Sequence, residues 1–235
     1  MSVFETARTP PPLHSPAEDS TKTRAMVSQL FTTPVARVRC PFADDVNPPL
    51  AAAVDERDGG RVKDFGYKRE TAGEFTAWGG SEAARLSGWV CTVAGKFVES
   101  LTGMPLTKAF THSLAREGEQ LTGEPSVSVG VTRSWASLYR EGDLHEPHFH
   151  PNTALSAVYY VSAPGACEID LLDPRPAVDY YDPGICLAGE SHRVRLACTP
   201  GELIVFPGWL KHSVPPFTGG ETRISVAWNL NYFTG

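Results

Sequence analysis

Three histidines fall within six positions in HEPHFHPN, residues 145–152, of a chain with seven histidines in all. His148 and His150 are two apart. On a strand, side chains at i and i+2 share a face, so both imidazoles can meet one metal ion. The same spacing also suits an ordinary polar strand face, so further ligands must come from elsewhere. His212 offers one, at the end of GELIVFPGWLKHSV, which reads as a turn glycine, an apolar strand, a Pro-Gly turn and a histidine. Arg223 and Ser225 in ETRISVAWN share a strand face by the same alternation. An arginine projecting into an apolar interior must find an anion. A planar guanidinium beside a hydroxyl is a natural clamp for a ligand carboxylate.

These groups need strands to hold them. After Gly123, the runs SVSVGVTRSWASLY, ALSAVYYVSA, CEIDLL, HRVRLAC, ELIVFP and TRISVAWNLNYF are rich in Val, Ile, Tyr and Phe, with turn residues between them. Ahead of them, SEAARLSGWVCTVAGKFVESLTG, residues 81–103, spaces Ala84, Leu86, Trp89, Val90, Val93 and Phe97 as a helix that stops at Gly103. A second helix is expected through 106–120. A helical front followed by strands is the α+β, mainly β pattern, with helices packed on one side of an antiparallel barrel or jelly roll. Residues 1–28, rich in Pro, Ser, Thr and charge and containing His14, read as a flexible arm. Residues 29–235 read as one domain, with its helical front about 79–120 and its β core about 125–233.

The chain of 235 residues carries a formal charge of −6, with 21 basic and 27 acidic residues. That balance, without a Lys/Arg run longer than two, disfavours nucleic acid as a partner. There is no apolar run of membrane-spanning length and no signal-peptide core, so no membrane partner and a cytoplasmic location are expected. Five dispersed cysteines, Cys40, Cys91, Cys167, Cys186 and Cys198, read as reduced thiols.

In order and spacing, HxH (148–150), SAVYYV, DPR, GELIVFPxxxxH and RISVAWN resemble the Fe(II)- and 2-oxoglutarate-dependent oxygenases. More narrowly, they are similar to a branch with an HxHPNS–SGVYYV–DPR–GxLxxFPSxxxH–RIS pattern. The match runs across roughly 135–230, with an echo at LFTTPV, residues 30–35. The resemblance implies a double-stranded β-helix, the jelly-roll or cupin-like core, with metal and cosubstrate at its open end. It places His148, His150 and His212 on the metal, and Arg223 with Ser225 on the distal carboxylate of 2-oxoglutarate. Tyr160 falls where related enzymes set a tyrosine hydroxyl near that carboxylate, while Tyr159 should face the other way. His145, expected on a loop, could contact the metal ligands or the substrate. Asn152, Arg175 beside Asp173, and Trp209 are further candidate substrate contacts, against turn, ion-pair and core duties respectively. Trp135 matches a family tryptophan and reads most simply as core.

One departure stands out. His150 occupies the place where most of the superfamily has Asp or Glu. Three arrangements stay open: a neutral three-histidine face, one histidine outside the metal's ligand set, or a nearby carboxylate such as Asp143 or Glu146. The expected activity is oxidation of a small molecule, amino acid or peptide by O2 with Fe(II) and 2-oxoglutarate. Hydroxylation is the default outcome, with desaturation or cyclisation open. The alternatives are a cupin-like three-histidine dioxygenase that does not use 2-oxoglutarate, and a non-catalytic metal- or ligand-binding barrel.

Overall fold

The computed structural model describes residues 31–116, 125–175 and 192–235. The arm expected over 1–28, His14 and Cys186 lie outside them. In chain order the elements are β1 (Ala36–Arg39), α1 (Ala43–Asp58), β2 (Val62–Asp64), β3 (Arg69–Thr71), α2 (Phe75–Trp78), α3 (Gly80–Thr102) and α4 (Leu106–Arg116). They continue with β4 (Val127–Tyr139), β5 (His145–His148), β6 (Leu155–Ser162), β7 (Glu168–Leu172), β8 (Arg193–Ala197), β9 (Glu202–Pro207), β10 (His212–Val214) and β11 (Arg223–Thr234).

The strands form two antiparallel sheets, one of seven strands in the order β1-β9-β6-β11-β4-β3-β2 and one of four in the order β5-β10-β7-β8. Their facing sides enclose the interior of a double-stranded β-helix. Strand alternation sorts the side chains. Ile224, Val226 and Trp228 of β11 and Ala157 and Tyr159 of β6 turn outward into the main hydrophobic core. Arg223, Ser225 and Ala227, with Val158 and Tyr160, turn inward toward the second sheet.

The helices cover the outer face of the large sheet. Val46, Leu50 and Val54 of α1 and Leu86, Val90, Val93 and Phe97 of α3 join that core, and each fully buried aliphatic contributes about 1.5–3 kcal/mol. Trp228 pins the layers together: its Nε1 donates to Ser87 Oγ at 3.0 Å, and Phe75 meets its ring edge-on at 5.8 Å. Helix α3 stops at Gly103, whose φ of 68° is left-handed and whose N–H donates to Glu99 O at 2.9 Å. Its buried stripe runs through Ala83, and Ala84 is exposed, one position off the expected register.

Two parts of the front are additional to the sequence reading. Helix α1 carries Pro48 and Pro49 inside it, which masks its i, i+4, i+8 pattern of Val46, Leu50 and Val54. The short β2–β3 hairpin extends the sheet beyond β4. The four described cysteines are free thiols, with Cys40, Cys167 and Cys198 buried.

Candidate metal and cosubstrate site

His148 closes β5 directly opposite His212, the first residue of β10. Their rings lie 4.2 Å apart, and the His150 ring sits 5.3 Å from one and 5.2 Å from the other. His150 is just past the end of β5, where its N–H donates to Gly208 O at 2.9 Å. That approach requires a glycine, since a Cβ at 208 would lie 2.2 Å from Thr153 O. One ligand atom from each of His148, His150 and His212 lies within 4.8 Å of the others, and they form the possible metal-holding group among the described residues.

The hydrogen bonds fix the tautomers. His148 Nδ1 is 2.8 Å from Glu146 O, and His212 Nδ1 is 3.0 Å from Leu210 O. A carbonyl only accepts, so both Nδ1 atoms carry the proton and both Nε2 lone pairs are free for a metal. Burial lowers the pKa of His148, takes that of His150 down to about 4, and takes that of His212 down to about 3. The three rings are therefore neutral at physiological pH, as metal binding needs.

His145 plays a different part. It opens β5, opposite Val214, instead of sitting on a loop. Its ring stacks on His148 at 3.7 Å, and its Nδ1 accepts from Lys68 Nζ at 3.0 Å. With Nδ1 accepting, the neutral ring carries its proton on Nε2 and has no lone pair left for a metal. Burial, then the Lys68 charge, hold its pKa down at about 2.

Across the cavity, Arg223 is 1% exposed, with its guanidinium 4.9 Å from the Tyr139 ring and 5.3 Å from the Tyr160 ring. Nη1 donates to Glu168 O at 3.1 Å, but Nε is buried without a partner, as is the Tyr160 hydroxyl. Ser225 lies two residues along the strand from Arg223, opposite Tyr160 on one side and Ser137 on the other. Buried polar groups are normally satisfied. Two orphans beside a buried cation form a cradle for a carboxylate. Asn229 Oδ1 and Ser156 Oγ, opposite one another across β11 and β6, are also buried without partners. Tyr159 faces outward, its hydroxyl donating to Asn47 Oδ1 at 2.7 Å.

Other expected contacts part ways. Trp135 lines the cavity, with its ring 5.7 Å from His150, and so is more than core packing. Lys68 lines it too, although nothing in its local sequence marked it. Asn152 takes a φ of 54° and serves the turn, its carbonyl accepting from Asn231 Nδ2 at 2.9 Å. Arg175 pairs with Asp173 at 2.5 Å, and Trp209 is 54% exposed; neither lines the cavity. Asp143 Oδ2 accepts from Arg140 N at 2.7 Å, the Glu146 side chain is exposed, and neither joins the histidines. The donor set thus fits a divalent ion such as Fe(II) held by neutral imidazoles, with a separate anion cradle deeper in the barrel.

Residues 133–229 match the model of a family described as "Putative 2OG-Fe(II) oxygenase", a span that runs from Arg133 of β4 to Asn229 of β11. Among solved structures, the chain is similar to the α-ketoglutarate-dependent carbocyclase SnoK from nogalamycin biosynthesis, at 10% identity and a TM-score of 0.57, covering 86% of this chain and 79% of that one. It is also similar to the α-ketoglutarate-dependent epimerase SnoN from the same biosynthesis, at 16% identity and a TM-score of 0.52, covering 86% and 78%. A third, AviO1 from Streptomyces viridochromogenes Tue57, has 13% identity and a TM-score of 0.51, covering 86% and 90%. At these identities the likeness is one of fold. The curated proteins contain no match. The site-bearing strands thus match the sequence pattern of the Fe(II)- and 2-oxoglutarate-dependent oxygenases over residues 133–229, inside a fold that such non-haem iron enzymes share.

Proposed function

We propose that His148, His150 and His212 hold Fe(II), that Arg223, Ser225 and Tyr160 take the distal carboxylate of 2-oxoglutarate, and that the enzyme oxidises a small molecule, amino acid or peptide. Hydroxylation is the default outcome, and desaturation or cyclisation needs only a different fate for the oxidised substrate carbon. The observation that carries this reading is the pairing of two sites in one cavity: three neutral imidazoles at one end, and a buried arginine with an unpartnered Nε beside an unpartnered tyrosine hydroxyl at the other. A cupin-like dioxygenase without an oxo-acid has no use for the second site.

Bound Fe(II) with 2-oxoglutarate supplies O2 activation coupled to decarboxylation of the keto acid to succinate and CO2. The chain's own residues do the positioning. Arg223 and Ser225 fix the cosubstrate's far end so that its keto-acid end meets the histidines. Glu146 O and Leu210 O orient the His148 and His212 rings, and the packed sheets keep the cradle away from bulk water. With no anionic protein ligand, the site keeps the full metal charge until the dianionic cosubstrate arrives. His145 stays neutral beside His148 and holds Lys68 at the mouth.

The test is an anaerobic titration of the Fe(II)-loaded protein with 2-oxoglutarate, read in the visible region. A weak metal-to-ligand charge-transfer band is expected as the keto acid chelates. Iron demonstrably bound with no such band would overturn the reading and favour the dioxygenase without oxo-acid.

A further inference from the structure

Beside the histidines the cavity opens into a mouth of about 270 Å³, near the lower end of small-ligand sites at about 300–1,000 Å³. One side of this mouth is the tip of the β2–β3 hairpin. Phe65 and Tyr67 are 44% and 39% exposed, their rings are 6.0 Å apart, and Tyr67 stacks on His145 at 6.2 Å. The tip is fastened: Phe65 N donates to Lys68 O at 3.0 Å, and Leu144 N to Tyr67 O at 2.8 Å. Gly66, at φ 80°, supplies the turn. Trp135 stands at the same mouth, with the Arg133 guanidinium 5.1 Å over its ring.

The charges at this mouth are unequal. Lys68 is neutralised by Glu70, 2.5 Å away, whereas among the described residues Arg133 has no carboxylate partner. A divalent metal bound by three uncharged imidazoles and met by a dianionic cosubstrate leaves no compensating negative charge. The mouth therefore stays cationic in a chain whose net charge is −6. Exposed rings such as Phe65 and Tyr67 bind flat π-surfaces, and Arg133, already stacked on the largely buried Trp135 ring, is pre-organised for a carboxylate.

We infer that the substrate is a small planar molecule carrying a carboxylate, its ring against Phe65, Tyr67 and Trp135 and its carboxylate on Arg133. This rests on the proposed function, since it takes the mouth of that site as the substrate's seat. It assigns Arg133 and Tyr67 as specificity-determining residues.

The test uses 2-naphthoate and its neutral isostere 2-naphthamide as probes, titrated by calorimetry into anaerobic protein loaded with Fe(II) and 2-oxoglutarate. Naphthoate should bind about tenfold or more tightly than the amide. Arg133→Gln should erase that preference, and Tyr67→Ala should weaken both probes together. Equal affinity for the two probes, no binding of naphthoate, or a preference that persists in Arg133→Gln would overturn the inference. A parallel 2-oxoglutarate titration separates the two readings. Failed cosubstrate binding with naphthoate preference intact removes the proposed function alone. Normal cosubstrate binding without that preference removes the substrate class alone.

Discussion

At the residue scale, Arg223 decides between cosubstrate chemistries. Its guanidinium is buried with Nε unpartnered and Nη1 bonded to Glu168 O, so Arg223→Met removes a desolvated charge at the cost of one backbone hydrogen bond. The variant should fold, and should bind 2-oxoglutarate at least about 30-fold more weakly, the loss expected for a buried charged contact; calorimetry reads both. The histidines make a prediction of opposite origin. His148, His150 and His212 titrate below 6.5 in the fold because they are buried, and near about 6.5 when unfolded. As pH falls through that value the unfolded chain takes up protons first, so the metal-free protein loses stability. The loss should run from about pH 6.5 down to about pH 3–4 and be absent above it. Melting temperatures of metal-free protein at about pH 7.5 and about pH 5 check the sign, and a higher value at the lower pH would count against buried neutral rings.

At the element scale, His150 is held by a turn instead of a strand. The turn after β9 approaches the 150–154 loop so closely that only glycine fits at 208. Gly208→Ala must push Thr153 aside, at a cost on the order of 1–3 kcal/mol for overpacking, and it shifts the backbone carbonyl that His150 N–H donates to. Metal affinity should fall although no ligand has changed, which a competition titration against a chelator measures. The same scale shows why parts of the front escaped the sequence reading. In α1 two prolines interrupt a helical stripe that packing nonetheless stabilises. In the β2–β3 hairpin, strands of three residues are too short for periodicity to register.

At the scale of the whole molecule, the cavity lies between two sheets and the helices brace the larger one from outside. Ligands that bind only this closed arrangement must stabilise the whole chain. At about 100 times their dissociation constants, metal or cosubstrate should each add about 2.7 kcal/mol. For a chain of this size that corresponds to roughly 5–10 °C for each ligand. A thermal melt with Fe(II) and 2-oxoglutarate, reversed by a chelator, is the measurement. No shift with either ligand would mean that the cavity does not bind them.

Spacing within single strands could be read from the sequence, because alternation depends only on chain geometry. The shared face of Arg223 and Ser225 and the opposite faces of Tyr159 and Tyr160 followed from it, whereas His150, expected on one strand with His148, lies past that strand's end; the α+β class followed from the change of texture after Gly123. His212 stood out at the end of its strand–turn pattern, and the family resemblance added the order of the blocks and implied a metal role for it. What sequence could not supply was any relation between chain segments far apart. Lys68 donates to His145 across 77 positions, Trp135, buried as expected, also meets His150 in the cavity, and Tyr67 reaches the mouth because Leu144 hydrogen-bonds to it. Arg175, in the block that resembles the family's DPR, and Trp209, close to His212 in sequence, looked eligible, yet their side chains do not line the cavity. Local periodicity sets which way a side chain points from its own strand; only the pairing of strands and the closure of the two sheets decides what it points at.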